Sequence, residues 1–182
     1  TLKAITDAIT DAGGQCLLVG GAVRDRLIGN ETSKDIDIEV YGLSYEDLVH
    51  QLSFFGTPKT VGKSFGVVKL AVDGEDYDFS LPRRDSKVSE GHKGFTVATD
   101  QNLTPKEAAL RRDFTMNSVA EDAEGNLIDP FGGAEDIKNR ILRATSEHFA
   151  EDPLRVLRGF QFAARFDMTV EEKTAAMCTQ LK

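Results

Sequence analysis

Two kinds of apolar pattern alternate along the chain, and their order predicts its elements. Leu2, Ile5, Ile9 and Ala12 recur at helical spacing, and Gly13-Gly14 ends that helix before the apolar run Cys16 to Val19, which reads as a strand. Gly20-Gly21 then leads into a short helix, Ala22 to Ile28, closed by Gly29-Asn30. A second strand is expected over Asp35 to Tyr41, followed by a helix near Ser44 to Leu52 that Ser44 caps. Three β-rich pieces come next, Thr57 to Val61, Phe65 to Val72 and Glu75 to Leu81, with Asp73-Gly74 as a hairpin turn between the last two. Thr104-Pro105 supplies an N-cap and a first-turn proline for a helix reaching about Arg112. Short strands around Asn117 to Glu121 and Leu127-Ile128 flank the Glu124-Gly125-Asn126 turn. From Asp152 the pattern is helical only: Asp152-Pro153 opens a helix to about Phe166, and Thr169 caps the next. The expectation is an α+β head over residues 1–145 with a small mixed sheet and flanking helices, then the start of an all-α neck over residues 146–182.

Composition narrows the partners. With 40% hydrophobic and 29% charged residues, the chain is that of a globular protein. No apolar run approaches the ~20 residues that span a bilayer, and the first residues lack the basic-then-apolar order of a signal peptide, so the expected location is the cytoplasm, away from membranes. The two cysteines, Cys16 and Cys178, fit neither a disulfide framework nor a zinc spacing. A net charge of -8 argues against gripping nucleic acid by bulk electrostatics, so any RNA contact must be local. The stretch Leu81 to Gly94 sets Arg83, Arg84, Lys87 and Lys93 against Asp85 and Glu90, and reads equally as a solvated loop or as a face toward RNA or phosphate.

The candidate chemistry begins with Asp35-Ile36-Asp37-Ile38. In a strand the two carboxylates share one face while both isoleucines enter the core. Paired hard oxygen ligands suit Mg²⁺, which takes one or two carboxylates plus substrate phosphate oxygens. Asp78, on another alternating strand, is a candidate third acid. The plainer alternative is a row of solvent-facing acids. Gly20-Gly21 stands between a strand and a helix, where backbone N–H groups approach phosphate and the helix N-terminus favours an anion, and Arg24 lies one turn further on. Here the plainer alternative is a tight turn with Arg24 paired to an acid. His50, His92 and His148 have no triad spacing and are expected at the surface.

Taken in order, these motifs resemble the class II tRNA nucleotidyltransferase and bacterial poly(A) polymerase family. The resemblance runs through Leu18-Val19-Gly20-Gly21-Ala22-Val23-Arg24-Asp25, Asp35-Ile36-Asp37, Arg111-Arg112-Asp113-Phe114-Thr115-Met116-Asn117, Asp129-Pro130-Phe131-Gly132-Gly133 and Glu151-Asp152-Pro153-Leu154-Arg155-Val156-Leu157-Arg158. It implies a polymerase-β-like head, Asp35 and Asp37 as ligands of two Mg²⁺ ions, and Gly21 with Arg24 at the triphosphate. It also implies Arg112 and Asp113 at the ribose, with Asn117 of the same motif as a further nucleotide-binding residue. Asp152 and Arg155 are then the base readers, and Arg158 a further nucleotide contact. The family often has another arginine where this chain has Gln161.

The base-reading role also follows from hydrogen bonding. A carboxylate only accepts and a guanidinium only donates. Adenine and cytosine share an amine donor beside a ring-nitrogen acceptor, and guanine and uracil present the reverse. A fixed Asp152/Arg155 pair therefore accepts ATP and CTP and leaves GTP and UTP with unpaired groups. The competing role for Asp152 is a helix cap before Pro153. The implied reaction is phosphoryl transfer to the 3′ end of tRNA with no covalent enzyme intermediate, and no protein partner is evident. Within the family, poly(A) addition carries a basic pair where Gly62-Lys63-Ser64 has one lysine, and CC-addition lacks part of a loop for which Leu81 to Thr99 is long enough. A binding module that has lost catalysis is the alternative from another class, and two intact carboxylates argue against it.

Overall fold

The structure is a computed structural model and describes residues 1–30, 36–61, 66–87 and 95–180. Asp35, Lys63 and Ser64 lie outside the described residues. The expected α1 (Leu2–Asp11), β1 (Gln15–Val19) and α2 (Gly21–Ile28) form, and α2 closes on Gly29 in the left-handed conformation. β2 (Ile36–Tyr41) is followed by α3 (Tyr45–Ser53), whose first turn is capped by the Ser44 side chain accepting from the Asp47 N–H. β3 (Lys59–Val61), β4 (Val67–Val72) and β5 (Glu75–Ser80) follow. Asp73 and Gly74 both adopt positive φ, 55° and 82°, as a two-residue hairpin turn demands.

Among the described residues β6 (Arg83–Lys87) pairs only with β7 (Phe95–Thr99), so Arg83 and Arg84 belong to an antiparallel ribbon apart from the main sheet. α4 (Pro105–Ala109) opens with a reciprocal capping box between Thr104 and Glu107. It stops three residues before the expected Arg112. The segment expected as a strand from Asn117 starts instead with a 3-10 turn, Thr115–Asn117, and only β8 (Ala120–Glu121) pairs, with β9 (Leu127–Ile128) beside it. α5 (Gly133–Lys138), β10 (Ile141–Leu142) and a 3-10 turn, Glu147–Glu151, lead to α6 (Leu154–Phe166). Thr169 is not a cap: Thr169–Val170 forms β11, parallel to β10, and α7 (Glu172–Gln180) starts after it.

The seven-stranded sheet runs β3-β4-β5-β2-β1-β8-β9, with β2 and β5 parallel. Strand alternation sends Ile38, Val40, Val68, Leu70, Tyr77 and Phe79 to one face, where Ile5 and Ile9 of α1 and Leu48 and Leu52 of α3 seal them. Asp37, Glu39 and Tyr41 therefore occupy the other face. Leu17, Val19, Tyr41, Leu103, Ala108 and Ala120 cover part of that face, under α4. A separate cluster, Phe114, Met116, Ile137, Leu142, Phe149, Phe162 and Met168, fastens α6 to the segment carrying Arg112 and Asp113. Gly159 of α6 makes this possible, since a Cβ there would meet the Phe114 ring at 3.2 Å.

Candidate active site

On the free sheet face, β1 and β2 are paired with Val19 opposite Asp37, so the chain leaves β1 at Gly20 beside the Asp37 carboxylate. Gly20 has φ 74°, and a Cβ there would lie 3.5 Å from Asp37 Oδ2 and 3.8 Å from an Arg112 guanidinium nitrogen. The left-handed backbone favours glycine here and leaves the approach to Asp37 unobstructed. No side chain caps the N-terminus of α2, which starts at Gly21. Its first-turn N–H groups have no partners within the helix.

The candidate residues converge on one cleft of about 360 Å³. Gly20, Gly21, Arg24, Asp37, Arg112, Asp113, Asn117, Asp152, Arg155 and Arg158 all line it, together with Arg83 and Arg111. Asp78 is opposite Asp37 in the β2/β5 register but lines a different cavity, and its carboxylate accepts from Lys69 Nζ. The hydrogen bond to Asp78 holds Lys69 above the ordinary lysine range, against its slight burial, and the charges of Asp78, Asp37 and Asp76 assist. Gln161 is exposed on α6.

Most of these side chains are held by one another. Arg24 is buried and donates from Nε to Asp25 Oδ1 at 2.7 Å and from Nη1 to Asn117 Oδ1 at 2.9 Å. Asn117 Nδ2 donates to Asp113 Oδ1 at 2.8 Å, and Arg158 Nε donates to Asp113 Oδ2 at 2.7 Å. Arg24, Asn117, Asp113 and Arg158 are thus one relay in which each polar group is satisfied by the next. The Phe162 ring lies against both ends, 5.4 Å from the Arg24 guanidinium and 5.0 Å from that of Arg158. Arg155 is fixed by backbone carbonyls, donating to His148 O at 2.6 Å and to Arg111 O at 2.8 Å. That uses two of its five N–H groups. Asp152 Oδ1 accepts from the Leu154 N–H at 3.0 Å, a turn at the entry to α6 whose N-cap position is Pro153, and it does so at the cleft wall beside Arg155.

Glu39 was not singled out in the sequence, nor were Arg111 and Arg83 assigned a role. Glu39 continues the alternation of Asp35 and Asp37, which is the signal that points to it. It is buried, accepts from Arg111 Nη2 at 3.0 Å and from the Tyr41 hydroxyl at 2.6 Å, and lies 4.0 Å from Arg112. Burial alone would raise its carboxyl, but the charges of Arg112 and Arg111 and the bonds from Tyr41 and Arg111 outweigh it and hold the group below its ordinary range. Arg112 is pushed below the ordinary arginine range by burial and by the neighbouring Arg111, with Glu39, Asp37 and Asp113 opposing. Arg111 Nε is buried with no hydrogen-bond partner among the described residues.

The Asp129-Pro130-Phe131-Gly132-Gly133 motif is a supporting joint. Asp129 accepts from the N–H groups of Gly133 and Ala134 at 2.8 and 2.9 Å, and a Cβ on Gly133 would come within 2.1 Å of the Thr115 carbonyl oxygen. The joint presses α5 against the turn that carries Asn117.

The profile of the poly A polymerase head domain matches residues 16–143. The chain belongs to that family. It is 43% identical over 164 residues to the multifunctional CCA protein of Chromobacterium violaceum, covering 90% of this chain and 38% of that protein. It is 46% identical over 152 residues to the CCA-adding enzyme of Pseudomonas putida, covering 84% and 39%. The fold superposes on Bacillus stearothermophilus CCA-adding enzyme in complex with CTP with a TM-score of 0.83 and 32% identity, covering 98% of this chain and 42% of that one. A CCA-adding enzyme in complex with ATP gives 0.78 and 29%, covering 98% and 41%. The polymerase-β-like nucleotidyltransferase fold is therefore shown, and the chain spans about two fifths of the relatives it matches.

Proposed function

We propose that this chain is the catalytic head of a template-independent RNA nucleotidyltransferase that adds C and A from CTP and ATP to the 3′ end of tRNA. The observation that carries the reading is the convergence, in one cleft, of the glycine turn, Asp37, the Arg112 side chain and the Asp152/Arg155 pair. The relatives named for CCA addition support the choice of substrate. On this reading residues 1–145 are the head and residues 146–182 begin a neck, and the work is done in the cytoplasm on tRNA.

Beside the glycine turn the described carboxylate is Asp37, whose oxygens fit a hard cation such as Mg²⁺, while Asp78, next to it across the strands, is paired with Lys69. Asp37, with Asp35 as the second ligand, would hold two such ions, which make the RNA 3′-hydroxyl more acidic and neutralise the triphosphate. Gly20, Gly21 and the α2 N-terminus receive the phosphates, and Arg24 adds positive charge held in place by Asp25 and Asn117. Arg112 reads the ribose from beside Gly20. Asp152 accepts from the exocyclic amine of A or C, and Arg155 donates an unused N–H to the ring nitrogen. Catalysis is then positioning and charge neutralisation.

The test is Mg²⁺-dependent incorporation of labelled CTP and ATP into tRNA lacking its terminal CCA, run beside oligo(A). Both nucleotides should enter the tRNA. Addition of A alone, to oligo(A) as readily as to tRNA, would favour poly(A) synthesis instead.

A further inference from the structure

Asp37 lies between two cavities. One is the nucleotide cleft, and the other, of about 500 Å³, lies along the open sheet face over β5, β4 and β3. The register lines up four charged residues across that face. Asp37 is opposite Asp78, Asp78 opposite Lys69, and Lys69 opposite Lys59. At ~4.8 Å per strand the row is ~14 Å long, acidic at the nucleotide end and basic at the sheet edge. Ile36, Ala71 and Asp76 complete the walls. Lys69 is tied to Asp78, but Lys59 and Lys69 face each other directly, and like charges in register destabilise a sheet. An anion over the pair would turn that repulsion into attraction.

In-line displacement fixes which anion. On the proposed function the triphosphate sits at the Gly20-Gly21 turn, in-line attack brings the hydroxyl to Asp37 from the side away from the departing pyrophosphate, and the second cavity meets Asp37 without touching that turn. We infer that the Asp78-Lys69-Lys59 row is the track of the RNA acceptor strand: its 3′-hydroxyl lies at the Asp37/Asp78 end, and its preceding phosphodiesters lie over Lys69 and Lys59. The inference rests on the function proposed above. The bond-making step is unchanged, with the 3′-oxygen joining the α-phosphorus as pyrophosphate departs. The track adds contacts to phosphate, which position the strand without reading its sequence.

The test is fluorescence anisotropy with a short labelled single-stranded RNA and no nucleotide, for the wild type, Lys59→Gln, Lys59→Arg and the Lys59→Gln/Lys69→Gln double variant. Lys59→Gln should weaken RNA binding about tenfold, Lys59→Arg should restore it, and the double variant should flatten the log–log salt dependence by about 1.4, or ~0.7 per lost phosphate contact. Lys59→Gln should at the same time hold or raise the melting temperature, because it relieves the repulsion. Unchanged RNA affinity and salt slope in the double variant would overturn the track, and with increased aggregation would leave the lysines as guards of an exposed edge strand. A wild type that binds RNA through these lysines but incorporates no CTP would defeat the proposed function and leave the track standing.

Discussion

Glu39 holds two arginines from the strand that carries Asp37, and that makes it the residue whose loss spreads furthest through the site. Glu39→Gln leaves Arg111 and Arg112 side by side without their shared counter-charge. It should cost ~3–5 kcal/mol in denaturant unfolding, the range for a buried ion pair that loses one partner, and weaken nucleotide binding. Equal stability and equal CTP affinity would show that the two arginines hold their places without it. Asp152 bonds the first N–H of α6 and, on the proposed function, also reads the base, and two readouts separate these roles. Asp152→Ala should cost ~0.5–2 kcal/mol through the lost Leu154 N–H bond, and should also lower selectivity for CTP and ATP over UTP and GTP about ten- to a hundredfold. A melting shift with an intact selectivity ratio would reduce Asp152 to a cap.

At the scale of elements, α4 shows how a short helix is made rigid enough to aim the residues after it. Its five residues could not nucleate alone, and the Thr104/Glu107 capping box ties the start while the Leu110 to Arg112 turn carries on into the cleft. Thr104→Ala should lower stability by ~1 kcal/mol. The Glu107 carboxyl is pulled down to about 2, first by the Thr104 N–H and hydroxyl and then by Arg84. A carboxyl lowered on folding contributes fully above its ordinary value of 4.5 and loses that contribution as pH falls toward 2. The melting temperatures of wild type and Glu107→Gln should therefore differ at neutral pH and converge across that window. The caps at Ser44 and Thr104 and the Asp73-Gly74 turn were legible in the sequence because each depends on neighbours within a few residues. Thr169 was not: its strand exists only because β10 runs beside it, and nothing local distinguishes that from a cap. Within the site, the motif residues could be named one by one, but the links between them could not. Arg24 meets Asn117 across 93 positions and Arg111 meets Glu39 across 72, and only the folded sheet closes such distances.

For the molecule as a whole, the net charge of -8 and the anionic substrates of the proposed function are reconciled by placement. Six arginines, 24, 83, 111, 112, 155 and 158, line one cleft with three aspartates, so positive charge is concentrated where the proposed triphosphate would enter, while the rest of the chain carries the net negative charge. The aromatic cluster of Phe114, Phe149 and Phe162 locks α6 to this wall, with the Phe114 and Phe162 rings edge-to-face at 5.8 Å, so Asp152 and Arg155 are packed onto the segment that carries Arg112 and Asp113. On the proposed function this cleft builds a defined C- and A-containing end on RNA through Asp37. The most direct measurement is the 3′-terminal sequence of tRNA lacking its CCA after incubation with the protein, Mg²⁺ and all four nucleoside triphosphates. Ends should be restored with C and A only, and should stay unextended with Asp37→Asn although that variant melts as the wild type does. Ends containing G or U, or extension by Asp37→Asn at the wild-type rate, would contradict it.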